Sequence, residues 1–177
     1  MSTTATKWAI DPTHSEVSFK VKHLVISTVT GNFKSFEGGA ESSSDDFEGA
    51  EISFAAHIAS IDTNQSDRDN HLKSADFFDA ANHPNLTFEG KISNVGGDYK
   101  LVGDLSIRGN KKEVTLDVDF GGVTVDPYGQ TKAGFEINGK INRKEFGLGW
   151  GAVTEAGGVV VSDEVKLHLS VQMIKQA

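Results

Sequence analysis

The feature of this sequence that most constrains its fold is a two-residue alternation of apolar and polar side chains. Its clearest stretch covers residues 113–120, where the apolar positions are Val114, Leu116, Val118 and Phe120. A β-strand points successive side chains to opposite faces, so such a segment has one dry face and one wet face. The alternation returns in the segments 16–22, 51–58, 101–107, 135–137 and 165–171. With little helix to cover them, these strands predict an antiparallel sheet that is either closed into a barrel or folded into a sandwich.

Length and composition set limits on the class of protein. The 177 residues predict a single domain spanning 1–177. A net charge of −8 offers no attraction to a polyanion, so a nucleic-acid partner is not expected. The absence of cysteine excludes disulfides and thiolate metal sites. No run approaches a membrane span, and residues 1–7 lack the apolar core of a signal peptide, so we expect a cytoplasmic protein that is not membrane-integral.

Turn residues divide the chain into about eight main strands and one short helix. Several strands run to about ten residues, roughly 33 Å when extended, and would build a barrel wall about 25 Å tall. One strand is predicted from Phe47 to Ile61. The helix is predicted over 68–79, because Leu72, Ala75 and Phe78 share a face at helical spacing, with Ser66 or Asp67 as its cap. We expect this helix to close one end of a barrel.

Inward positions of the predicted strands alternate between large and small side chains. Most of the eleven phenylalanines lie on these faces, which an ordinary filled core would explain. Small residues on the same faces are expected to leave positions unfilled, namely Ala56, Gly90, Gly103, Ala133 and Gly139. An empty cavity costs stability unless something occupies it, so this mixture is compatible with an apolar tunnel.

Residues able to carry chemistry are few, and their spacing demands no particular site. The chain has no nucleophile elbow, phosphate-binding loop, dinucleotide fingerprint or zinc-protease motif. Histidine and carboxylate side chains suit several metals, yet no local ligand spacing appears, and we predict no metal and no organic cofactor. Arg143 follows a long apolar strand, where its guanidinium would pair with a ligand head group or with a nearby carboxylate.

Several motifs, taken in order along the chain, resemble those of the YceI-like proteins. The most specific is Arg68-Asp69-x-His71-Leu72-x-Ser74. The others include Asp11-Pro12-Thr13-His14-Ser15, Val17-x-Phe19-x-Val21-x-His23, Gly31-x-Phe33, Ser60-Ile61-Asp62-Thr63, Pro84-x-Leu86-Thr87-Phe88, Gly103-x-Leu105-x-Ile107-x-Gly109 and Asn142-Arg143-x-x-Phe146-Gly147. The resemblance covers essentially the whole chain.

This resemblance implies an elongated, lipocalin-like antiparallel β-barrel with a long apolar pore. Members of the family are described as binding polyisoprenoid or related amphiphilic lipids in that pore, with the head group near its mouth, and many are periplasmic. By residue, the resemblance makes head-group candidates of His14, Arg68, Asp69, His71 and Arg143.

Three functions remain open at the level of sequence. The first is non-enzymatic binding of a long-chain lipid, a polyisoprenoid or an isoprenoid quinone, for carriage, storage or sensing. The pore walls would then be Val17, Phe19, Val21, Phe33, Ile52, Phe54, Ile58, Phe88, Leu105, Ile107, Val118, Phe135, Ile137, Leu167 and Leu169. The second is an enzyme for a small apolar substrate that uses His14, Asp69 and His71. The third is a packed structural or stress-associated barrel. An exposed strand at Trp8–Ile10 would allow a homodimer.

Overall fold

The computed structural model describes residues 6–23, 27–43, 47–75, 77–148 and 161–176. Within these ranges, eleven strands form one antiparallel sheet, and the single α-helix, α1, covers Ser66–Lys73. The strands are β1 Thr6–Ile10, β2 Glu16–His23, β3 Ser27–Phe33, β4 Phe36–Ser42, β5 Glu51–His57, β6 Ile61–Asp62, β7 Asn85–Val95, β8 Asp98–Ile107, β9 Asn110–Val125, β10 Thr131–Asn142 and β11 Val161–Lys175.

The sheet closes into a barrel because β1 has a partner on each side. Trp8 lies opposite Ala40 of β4 on one side and opposite Lys175 of β11 on the other. The strand order β1-β4-β5-β7-β8-β9-β10-β11 therefore returns to β1. The barrel thus has eight antiparallel strand positions, here called staves, and some staves consist of two consecutive strands. The predicted barrel is confirmed and the sandwich is not formed. The exposed edge predicted at Trp8–Ile10 was wrong, since both sides of that strand are paired.

Three of the staves are bent where the chain leaves the sheet for a few residues. β1 and β2 both pair with β11, and the turn Pro12–His14 separates them. Proline suits the first position of this turn, where the carboxylate of Asp11 accepts a hydrogen bond from the backbone N–H of Thr13. In the same way, β3 and β4 form one bent stave. β5 and β6 form another, with the turn Ile58–Ser60 between them.

The continuous strand predicted from Phe47 to Ile61 was therefore wrong at both ends. Phe47 precedes β5 and has a φ of 61°, which is outside the range of strands. At the other end, the turn that begins at Ile58 breaks the alternation that the sequence pattern extends through it.

The helix α1 is shorter than the predicted 68–79. It is capped by Gln65, whose side chain accepts a hydrogen bond from the backbone N–H of Arg68, rather than by Ser66 or Asp67. It ends at Lys73, because the hydroxyl and the N–H of Ser74 both donate to the carbonyl of His71 and the chain becomes extended there. In the described part of the chain, no helix has the length and apolar character needed to cross a membrane.

Candidate functional site

The barrel encloses an apolar cavity of about 170 Å³. Its lining consists of 27 described residues, which come from nine strands, α1 and the loops that follow α1 and β10. On β11 alone the lining extends from Val165 to Met173, so the cavity is elongated along the strands.

Twelve of the fifteen predicted pore residues lie on the wall of this cavity. They are Val17, Phe19, Val21, Phe33, Ile52, Phe54, Phe88, Leu105, Ile107, Ile137, Leu167 and Leu169. The other three, Ile58, Val118 and Phe135, are buried but lie outside the lining. Ile58 sits in the turn after β5 and packs with Val17 and Phe33 in a separate cluster. Val118 and Phe135 belong to the main buried core cluster.

A cluster of aromatic side chains, here called the aromatic floor, closes one end of the cavity. It consists of Trp8, Phe47, Tyr99, Phe120 and Phe135. Phe47 is fully buried at its centre, with ring centroids 5.0 Å from Trp8, 5.4 Å from Phe120 and 4.9 Å from Phe135. Tyr99 packs edge-on against Phe120 at 5.6 Å. The space inside this end of the barrel is consequently filled.

The inward glycines do not open the cavity in the way the sequence suggested. A Cβ at Gly139 would collide with the side chain of Leu116, one at Gly90 would collide with the carbonyl of Val102 and the ring of Phe88, and one at Gly103 would collide with the backbone of β7. The prediction that these three positions are unfilled was wrong, because a neighbouring side chain or backbone occupies each of them. Gly139 and Gly90 thus leave room for Leu116 and Phe88, both of which line the cavity.

Arg143 is the one charged side chain among the described residues that line the cavity. It follows the last residue of β10, and Phe135 lies toward the other end of that strand, so Arg143 lies at the end opposite the aromatic floor. Its Nη1 donates to the carbonyl of Leu148 at 2.5 Å, and its Nη2 lies 3.7 Å from a carboxylate oxygen of Asp163. Burial lowers the pKa of the Arg143 guanidinium, while Asp163 acts in the opposite direction. Arginine nevertheless remains protonated in proteins at neutral pH, so the cavity has a fixed cation at this end.

The other four head-group candidates lie outside the described lining of this cavity. Nδ1 of His14 lies 2.8 Å from the carboxylate of Asp11, in the turn between β1 and β2. Arg68 and Asp69 both bind Thr63. Nε of Arg68 donates to its hydroxyl at 2.8 Å, and Asp69 accepts from its backbone N–H at 2.8 Å.

The remaining candidate, His71, packs edge-on against Phe77, a lining residue, at 5.1 Å between ring centroids. His14, Asp69 and His71 therefore contact three different partners: Asp11, Thr63 and Phe77. Among the described residues, no three histidine, cysteine or acidic side chains are placed to share a metal ion. The motif around Arg68 thus connects α1 to Thr63 before it and to Phe77 after it.

Fourteen further lining residues were not predicted as part of the site. Some continue the strand alternation, which is the signal that identifies them: Leu101, Leu116, Val165, Val171 and Met173. Others come from α1 and the loops, where no strand periodicity applies: Leu72, Phe77, Phe78 and Leu148. The remaining five are Ile10, Ser18, Ala56, Leu86 and Ile141.

Comparison with known proteins gives consistent matches over nearly the whole chain. The YceI-like domain family matches residues 8–173. The UPF0312 protein SERP2314 of Staphylococcus epidermidis is 39% identical over 168 residues, which cover 94% of this chain and 96% of that protein. The crystal structure of the Campylobacter jejuni YCEI protein superimposes with a TM-score of 0.75 at 33% identity, over 88% of this chain and 90% of that one.

A more distant structure shares the fold alone. A domain from Saccharophagus degradans, described as polyisoprenoid binding, has a TM-score of 0.73 at 15% identity, over 96% of this chain and 98% of that one.

Proposed function

Since this chain belongs to the YceI-like domain family, we propose that it binds a long-chain amphiphilic lipid, a polyisoprenoid or an isoprenoid quinone, inside its barrel. The observation that carries this proposal is a long cavity whose described wall is apolar except for Ser18 and one guanidinium. Pockets that are mostly apolar, with a few convergent polar groups, are typical of sites for such ligands. The Saccharophagus degradans domain with the same fold is described as binding polyisoprenoids.

The two ends of the cavity give the ligand a direction. The apolar chain would extend toward the aromatic floor, where burial contributes about 0.8 kcal/mol for each methylene removed from water. The head group would lie at Arg143, whose guanidinium suits a carbonyl, carboxylate or phosphate oxygen. The apolar chain of the lipid therefore provides most of the binding affinity, and Arg143 orients the head group.

The proposed role is binding without a chemical step. Carriage, storage and sensing of a lipid all depend on this same binding event. The enzyme alternative, built on His14, Asp69 and His71, gains nothing from the geometry, because those three side chains contact different partners and lie off the cavity wall.

The test is to extract freshly purified protein with organic solvent, identify the extract by mass spectrometry, and measure the native mass of the intact protein. We expect one long-chain lipid in stoichiometric amount, with a native mass that equals chain plus lipid. A mixture that mirrors the membrane of the expression host would indicate unselective uptake. A native mass equal to the bare chain, with no uptake of geranylgeraniol after delipidation and refolding, would contradict the proposal.

A further inference from the structure

The cavity wall ends directly above the aromatic floor on three separate strands. On β8 the last lining residue is Leu101, and the next inward side chain is Tyr99. On β10 the last lining residue is Ile137, and the next is Phe135. On β1 the lining stops at Ile10, above Trp8. The cavity therefore ends at a continuous layer of aromatic side chains rather than at an irregular gap in packing.

Phe47 is the floor residue that does not belong to a strand, and its backbone is held in place from outside. It has a φ of 61°, a left-handed conformation that is uncommon for phenylalanine and that persists only where the surroundings fix it. The segment 47–50 is tied to Ile92 of β7. The N–H of Gly49 donates to the carbonyl of Ile92 at 2.8 Å, and the N–H of Ile92 donates to Ala50 at 3.0 Å. These bonds hold the Phe47 ring across the centre of the barrel.

The distance from the floor to the other end fits one lipid chain. The lining runs from Leu101 to Ile107 on β8 and from Met173 to Val165 on β11. At about 3.3 Å per residue and a strand tilt near 40°, these spans correspond to roughly 15–20 Å along the barrel axis. That depth is about half of the ~30 Å hydrocarbon core of a bilayer, which is the reach of one lipid chain in one leaflet.

We propose that the Phe47 ring acts as a length stop that limits how much of an isoprenoid chain the barrel buries. This inference rests on the proposed function and adds a ligand class to it: isoprenoid chains of about geranylgeranyl length bind with the whole chain inside. In longer chains, the additional units project past Arg143 and add no affinity.

The test measures the affinities of delipidated protein for farnesol, geranylgeraniol and solanesol by native mass spectrometry. In the original chain, we expect the affinity to rise from farnesol to geranylgeraniol and then to stay level for solanesol. In Phe47→Ala, the affinity for solanesol should rise about tenfold, because more of its chain becomes buried. Phe36→Ala is the matched control, since Phe36 is a buried phenylalanine outside the cavity lining and the floor, and it should leave the plateau in place.

A second variant tests the stop in the opposite direction. Leu101→Phe adds bulk at the last lining position of β8 and should move the plateau down to farnesol. The length stop is wrong if the affinity of the original chain keeps rising to solanesol, or if a folded Phe47→Ala keeps the original plateau. If Phe47→Ala does not fold, an unchanged plateau in Leu101→Phe overturns the inference by itself. Failure of all three alcohols to bind the original chain would instead count against the proposed function.

Discussion

The carboxylate of Asp11 lies 3.0 Å from the ammonium group of Lys132, and both side chains are buried although 121 positions separate them in sequence. Asp11 also accepts hydrogen bonds from the N–H and the hydroxyl of Thr13, and Lys132 lies 3.6 Å from Asp126. Because β11 runs between β10 and β1, this ion pair joins the turn after β1 to the start of β10 across the intervening strand.

Breaking this ion pair from one side should cost more than removing it altogether. Asp11→Asn leaves a buried ammonium group with a weaker partner, so we expect its Tm to fall by roughly 5–10 °C. The double variant Asp11→Asn with Lys132→Met should recover part of that loss. Thermal melts followed by circular dichroism at neutral pH measure both effects. A double variant as unstable as Asp11→Asn would show that the pair is not the coupled unit.

The same carboxylate should make the barrel sensitive to acid. Hydrogen bonds from Thr13, and then from His14 and Lys132, hold the pKa of Asp11 well below its usual range, with burial acting in the opposite direction. A carboxyl whose pKa is lower when folded contributes stability above its unfolded pKa and loses it as the pH falls toward the folded pKa. Tm should therefore drop with decreasing pH below about 4. Asp11→Asn should show a shallower slope, and parallel slopes would exclude Asp11 as the cause.

A charge placed on the cavity wall should abolish lipid retention. Phe54 lines the cavity, whereas the neighbouring Ser53 is exposed on the outer face of the same strand. Phe54→Asp would put a carboxylate beside an apolar chain, where no partner compensates for the lost hydration. We expect no extractable lipid from Phe54→Asp and full retention in Ser53→Asp, with circular dichroism as the check on folding. Equal retention in the two variants would place the lipid elsewhere.

Arg143 should affect the head group of a ligand more than its chain. We expect Arg143→Met to weaken binding of palmitate by about 10- to 100-fold, the range for a hydrogen bond to a charged group, and to change binding of hexadecanol much less. Arg143→Lys keeps the charge and should lose less affinity for palmitate. Fluorescence competition assays measure both ligands. A uniform loss for palmitate and hexadecanol would indicate that Arg143 only supports the structure through Leu148 and Asp163.

Filling one glycine position should disturb the cavity through its neighbour. A Cβ at Gly139 meets Leu116, so Gly139→Ala forces that lining side chain to another rotamer, at a cost of about 1–3 kcal/mol. Gly134→Ala on the same strand is the control, since nothing lies within 4 Å of its added Cβ. Urea unfolding should separate the two variants clearly. Equal stabilities would mean that Leu116 has free space to move.

The strands could be predicted from the sequence because a barrel strand has one wet and one dry face. Leu167 and Leu169, two residues apart on β11, both face the cavity as this alternation predicts. The aromatic floor could not be predicted in the same way. Phe47 looks like the first residue of a strand, and a left-handed phenylalanine leaves no periodic signal. The motif around Arg68 is distinctive in sequence, but spacing does not tell a side chain that binds a ligand from one that binds Thr63.

The pairing of β1 and β2 with β11, which closes the barrel, has a consequence for synthesis in the cell. β11 lies between β10 and both β1 and β2, so Ile10 meets Met173 only after the final stave has left the ribosome. Until then, the nascent sheet has two unpaired edges and an uncovered apolar face, a state that favours aggregation. Closure between such distant parts of the chain is also intrinsically slow. Yield in vivo should therefore depend on chaperone capacity more than on the stability of the finished barrel.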